Sequence, residues 1–105
     1  MGAGRAVVVE FDDVSLSSAT GTVRFLDGSA GQPNGRVVVV ARECDDQGGV
    51  DPIGDRVTAD GPVNNGRFGL EFRRSLDADF GLLQAHYLGD FGAAPSDSEP
   101  KLVQR

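Results

Sequence analysis

Between Gly81 and Asp90, apolar and polar residues alternate: Leu83, Ala85 and Tyr87 on one parity, Gln84 and His86 on the other. Successive side chains of an extended backbone point to opposite faces, so this stretch reads as a strand with one buried side. A helix competes for the same residues. Leu76, Phe80, Leu83 and Tyr87 also fall on one helical stripe, with Ser75 placed to cap it. Gly81 would cost that helix about 1 kcal/mol. The preferred reading is a short turn feeding a strand.

The same period recurs along the chain. Val7, Val9 and Phe11 share one face of Ala6–Phe11, and Asp12-Asp13 is expected to interrupt that run. Val14–Ser18 reads as a short extended piece or a loop. In Thr20–Leu26, Val23 and Phe25 point inward while Thr22 and Arg24 point outward, up to the turn pair Asp27-Gly28. After the polar connection Ser29–Gly35, Arg36–Arg42 holds four consecutive valines, expected to form a central strand covered on both faces. Cys44–Gly54, rich in Asp and Gly, reads as a loop. Arg56–Ala59 reads as a weak strand ended by Asp60-Gly61-Pro62. Asn65-Gly66 is a strong tight-turn signal. Arg67–Phe72 has the cleanest alternation, with Phe68, Leu70 and Phe72 on one face. Ala93–Ser98 reads as a loop before a last extended run, Lys101–Gln104.

Seven or eight short extended segments with turn signals between them favour a β-sandwich or small barrel over an α/β arrangement. A chain of 105 residues fits one domain, expected over 6–105 with residues 1–5 as an unstructured or appended start. Met1-Gly2-Ala3-Gly4 suggests that the natural polypeptide is longer. The formal charge of −6 and pI near 4.5 argue against nucleic acid or an anionic membrane as partner. No apolar run reaches membrane-spanning length, so no membrane insertion is expected. The lone Cys44 forms no internal disulfide and reads as a small hydrophobe in or beside a strand.

Several of these pieces resemble a family. Thr20–Gly28, Asn65-Gly66-Arg67-Phe68, the run from Leu83 to Asp90 and Pro95-Ser96-Asp97-Ser98 resemble, in order, parts of bacterial immunoglobulin-like repeats. The likeness covers roughly half the chain. The segment from Gly35 to Pro62 is longer than those repeats usually carry. Gly21–Phe72 is also similar to transthyretin-like and carboxypeptidase-regulatory-like domains. Both resemblances imply an immunoglobulin-like Greek-key β-sandwich of about seven strands. They also imply a non-catalytic module of a bacterial cell-surface or secreted protein, acting as a spacer or as an adhesion unit. Its partners would be another protein or neighbouring domains of the same chain. The transthyretin-like likeness leaves open an accessory domain of an enzyme. The purine-pathway hydrolase of that family needs several histidines and a C-terminal Tyr-Arg-Gly-Ser, and this chain has neither.

Chemistry is sparse. His86, the only histidine, sits on the polar parity of its strand without a recognisable nucleophile or orienting acid. Calcium is the best specific alternative, since hard cations take several loop oxygens. Asp45, Asp46, Asp51 and Asp55 are the candidate ligands, and Asp12, Asp13 and Asp90 could meet at one end of a sandwich. Their spacing matches no calcium motif, and aspartate is a favoured turn residue, so solvated loop acids are the expectation. A carbohydrate platform has only Phe80 and Phe91 to draw on. Lys101 and the turn asparagines Asn34, Asn64 and Asn65 are poorly placed for an isopeptide crosslink. No catalytic residue and no cofactor is assigned. Tyr87 is expected to be fold-specifying, its ring buried and its hydroxyl bonded to nearby backbone, as in a tyrosine corner.

Overall fold

The computed structural model describes residues 5–26, 33–44, 52–74, 76, 79–90 and 92–104, with the backbone alone at 52–56. Among these residues eight strands follow one another: β1 (Val7–Val14), β2 (Ser18–Phe25), β3 (Gly35–Cys44), β4 (Pro52–Val63), β5 (Arg67–Glu71), β6 (Phe80–Tyr87), β7 (Ser96–Asp97) and β8 (Lys101–Gln104). They form two antiparallel sheets, β1-β2-β5 and β4-β3-β6-β7, with β8 on the same side of β6 as β7. No helix occurs among the described residues, and the fold is an all-β sandwich. The strand reading therefore holds over Phe80–Tyr87, where a helix competed.

The parities read from sequence are those that are buried. Val7, Val9, Val23, Phe25, Phe68, Leu70 and Phe72 from one side meet Val37, Val39, Ala41, Leu83, Ala85 and Tyr87 from the other. Leu76, fully buried, plugs one end. Phe11 is half-buried and packs edge-on against Phe68.

Several local expectations are corrected. Asp12-Asp13 does not end β1, which absorbs a bulge between Phe11 and Asp13 and runs on to Val14. Ser15–Ser17 is a turn, closed by the Ser15 hydroxyl accepting the N–H groups of Ser17 and Ser18 at 3.2 and 3.1 Å. β3 is central in its sheet, but among the described residues only one of its faces is covered by a second layer. Val38 and Val40 are half-buried on the outer face.

The weak strand at Arg56–Ala59 is the middle of a twelve-residue β4 that takes in Asp60-Gly61-Pro62. Pro62 is tolerated because β4 is an edge. Its partner Arg36 gives its carbonyl to the Leu88 N–H on the β6 side. Pro62 thus occupies a position where its nitrogen points away from β3, and no ladder bond is lost. Of the expected Cys44–Gly54 loop, Pro52–Gly54 belong to β4 and 45–51 lie outside the described residues, as does the Asp27-Gly28 turn.

Ser96–Asp97, expected in a loop, pairs with β6. β7 and β8 are one strand broken by a bulge: His86 opposes Asp97 and Leu83 opposes Lys101, which leaves one extra residue between the two segments. Ser98 makes the break possible. Its N–H donates to the Ala85 carbonyl at 2.8 Å, and its hydroxyl accepts the Ala85 N–H at 2.8 Å. Its carbonyl, freed from the ladder, takes the Gln84 side-chain amide at 2.9 Å. A buried serine thus replaces one rung, and no described buried side-chain polar atom is left unpaired.

Candidate functional site

The residues with chemical potential are dispersed. Asp45, Asp46 and Asp51 lie outside the described residues, and Asp55 lies in β4 with only its backbone described. Asp12 and Asp13 do not meet Asp90. Asp90 bridges Ala93, which bridges Arg5 at the start of β1, whereas Asp12 and Asp13 lie seven and eight residues further along. That is about 23 Å of extended chain. Among the described residues, no three His, Cys, Asp or Glu side chains gather as a metal cluster would require. His86 does have an acidic partner: its Nδ1 lies 2.8 Å from Asp97 Oδ1, across the β6–β7 ladder on an outer face. Phe80 is half-buried at the start of β6, and Phe91 lies outside the described residues. Lys101 opposes Leu83, midway along β6 and four residues from Tyr87, whose end of the strand carries Asn34. Cys44, 1% exposed, is inside the protein.

Tyr87 closes one end of the sandwich. Its ring is buried, and its hydroxyl donates to the Asn34 carbonyl. That acceptor lies at the entry to β3, so the contact ties two strands of one sheet and is not the local bond of a tyrosine corner. Burial, and secondarily the Asp90 carboxylate, push the phenol above its ordinary value of 10.0. Asn34 also works through its side chain, whose Oδ1 accepts the Asn65 N–H at 3.0 Å. The neighbouring Pro33 carbonyl takes the Gly66 N–H at 2.8 Å. The Asn65-Gly66 turn is as the sequence indicated, with φ of 53° and 76°. Gly35, at φ 114°, must lack a side chain, because a Cβ would stand 2.6 Å from the Gly89 carbonyl.

At the opposite end, sequence reasoning missed Glu43. It shares the inward parity of β3 and is 6% exposed, with Oε1 3.1 Å from Arg74 Nη2. The only signal was its position two residues beyond Ala41 on a buried face.

The two long sides of the sandwich differ. On one, the β4–β5 turn carries the chain from sheet to sheet, and the strands stay close. A Cβ on Gly61 would lie 2.6 Å from Leu70 Cδ2, so the missing side chain lets the layers meet there without displacing the end of Leu70. On the other side, β1 and β7 start together and then part. Arg5 donates its N–H to Gly92 at 3.1 Å and accepts that of Ala94 at 2.9 Å, a single parallel rung. Arg5 also stacks its guanidinium 3.9 Å over the Phe25 ring. Below the rung, an open groove of about 540 Å³ lies between residues 7–11 and 96–101.

Main-chain direction along β1 follows from its ladder. The Ala6 carbonyl accepts the Leu26 N–H, so Ala6, Val8 and Glu10 face β2. Val7, Val9 and Phe11 therefore direct their N–H and C=O groups into the groove. Among the described residues, none of these groups has a hydrogen-bond partner. Compared by sequence, the chain matches no family model and no curated protein.

Proposed function

We propose that this domain is a non-catalytic immunoglobulin-like module of a bacterial cell-surface or secreted protein, acting as a spacer in a longer extracellular polypeptide and as a protein-binding unit. The observation that carries this reading is where the chain enters and leaves. Arg5 sits beside Ala93, just beyond the Tyr87 end of β6, while Gln104 opposes Phe80 at the other end. The body measures 44 × 22 × 20 Å. The long axis follows the strands, since twelve residues of β4 span about 40 Å. A chain threaded from end to end of an elongated body adds length with each copy, which is the geometry a stalk requires.

The strand order supports the immunoglobulin-like, Greek-key reading. β1-β2-β5 faces β4-β3-β6-β7, with successive strands crossing between layers at β2–β3, β4–β5 and β5–β6. A tandem fusion of two copies through a short linker tests the spacer role. Small-angle scattering should give a maximum dimension approaching twice the 44 Å long axis. Two copies folded side by side, with a maximum dimension near that of one, would defeat it.

A further inference from the structure

We propose that the groove between β1 and the β7–β8 strand receives an extended segment of another polypeptide, with alternating apolar and basic side chains, as a strand antiparallel to β1. This rests on the protein-binding half of the reading above and is independent of the spacer half.

Three features point to that occupant. The first is the main chain. Val7, Val9 and Phe11 offer a row of donors and acceptors on one wall, without a partner among the described residues. On the other wall Ser98 faces β6, so its neighbour Asp97 turns its own N–H and C=O outward into the groove. β1 and β7 run in the same direction, as the parallel Arg5–Ala93 rung shows. A strand antiparallel to both would make antiparallel ladders on each side, join the two sheets along this side of the sandwich and remove the β1 edge.

The second is the absence of the devices that protect such an edge. β4 carries Pro62 and is closed against β5 at Gly61. The β1 edge from Val7 to Phe11 has neither proline nor lysine, and its bulge comes only after Phe11.

The third is charge. Glu10, Asp97, Glu99 and Lys101 line the groove, in a chain of net charge −6. Glu10 is shared with Arg24 at 3.1 Å and Asp97 lies 2.8 Å from His86 Nδ1, while Glu99 has no ion-pair partner among the described residues. Basic side chains on the outward parity of an incoming strand meet these carboxylates, while its apolar residues turn toward the core side shared by Val7 and Val9. A folded second copy fits less well. It would bring the same negative charge, and its β1 arrives attached to a sheet that the β7–β8 wall obstructs.

The test uses the whole domain and a terminally blocked octapeptide of alternating valine and lysine. In the free domain, the Val7, Val9 and Phe11 amides should exchange quickly. With peptide, hydrogen exchange followed by NMR should slow at these three positions by at least about tenfold. Replacing lysine by glutamate in the peptide, or N-methylating alternate residues so that one ladder is lost, should each weaken binding about tenfold or more. The domain variant Glu99→Lys, a change at an exposed position, should weaken the lysine peptide and strengthen the glutamate peptide. Unchanged exchange at the three amides with millimolar peptide would overturn the proposal, as would equal binding of the two peptides. Concentration-dependent protection of the same amides without peptide would assign the edge to a second copy and overturn it equally. None of these results bears on the tandem-fusion measurement.

Discussion

Tyr87 is the residue on which one end of the fold is most exposed to test. Replacing it with alanine empties a fully buried ring position beside Val37 and removes the hydroxyl that donates to the Asn34 carbonyl. Aromatic truncations of this kind cost about 3–5 kcal/mol, which for a domain of this size lowers Tm by roughly 12 °C or more. Tyr87→Phe separates the two contributions. The ring stays and only the hydrogen bond goes, at about 1 kcal/mol, because Asn34 is exposed enough for water to reach its carbonyl. The phenol adds a pH dependence. Its pKa in the folded protein is raised above the ordinary 10.0, so between the two values the native state keeps a proton that the unfolded chain has released. Stability from this source is complete below about pH 10 and is lost as pH rises through the folded-state value. The Phe variant has no such loss, so the stability gap between the two proteins should shrink from pH 8 to pH 11. Urea unfolding at both pH values measures the gap. The tyrosinate absorbance reports this residue alone, since the chain has one Tyr and no Trp. A Tyr87→Phe protein as stable as wild type at pH 8, or a gap that widens in alkali, would refute the account of this end of the sandwich.

Two further perturbations follow from close packing. A Cβ at Gly21 would stand 2.4 Å from both the Glu10 carbonyl oxygen and the Phe68 ring, so Gly21→Ala should cost about 3 kcal/mol. Gly61→Ala meets only the end of the Leu70 side chain and should cost about 1 kcal/mol; the reverse order in chemical denaturation would contradict the reading of how the sheets approach. At the other end, Arg74→Ala leaves the buried Glu43 carboxylate without its guanidinium and should destabilise by about 1–2 kcal/mol, discounted because Arg74 is 43% exposed. An unchanged denaturation midpoint would show that the pair contributes nothing.

The strands were legible because alternation is a direct image of exposure: Phe68, Leu70 and Phe72 could share a face only in an extended chain. The errors cluster where a residue's local preference was overridden by its place in the sheet. Asp60-Gly61-Pro62 looks like a strand terminator, yet on an edge the missing N–H of Pro62 is harmless, and the missing side chain of Gly61 is what admits Leu70. Ser96–Ser98 looks like a loop because the sequence does not reveal that a serine hydroxyl will stand in for a ladder carbonyl. Asp12-Asp13 looked like an interruption because a bulge has no compositional marker.

The groove was illegible for a different reason. Val7–Phe11 and Ser96–Lys101 are ordinary strand residues, and neither segment advertises a site. What makes one is a relation between opposite ends of the chain: a single rung at Arg5 and Ala93 holds two parallel strands together at one point and lets them diverge below it. The opposite side of the sandwich had the same opportunity to open, since β4 and β5 also pass from a shared turn into different sheets. There a glycine removes the obstacle and the layers close. On the β1 side nothing comparable among the described residues brings the walls together, and the main-chain groups of Val7, Val9 and Phe11, unpaired among those residues, remain available to water or to another strand. In the end-to-end spacer proposed above, a lateral edge of this kind would be the part of the surface that a neighbouring molecule can reach without disturbing the series.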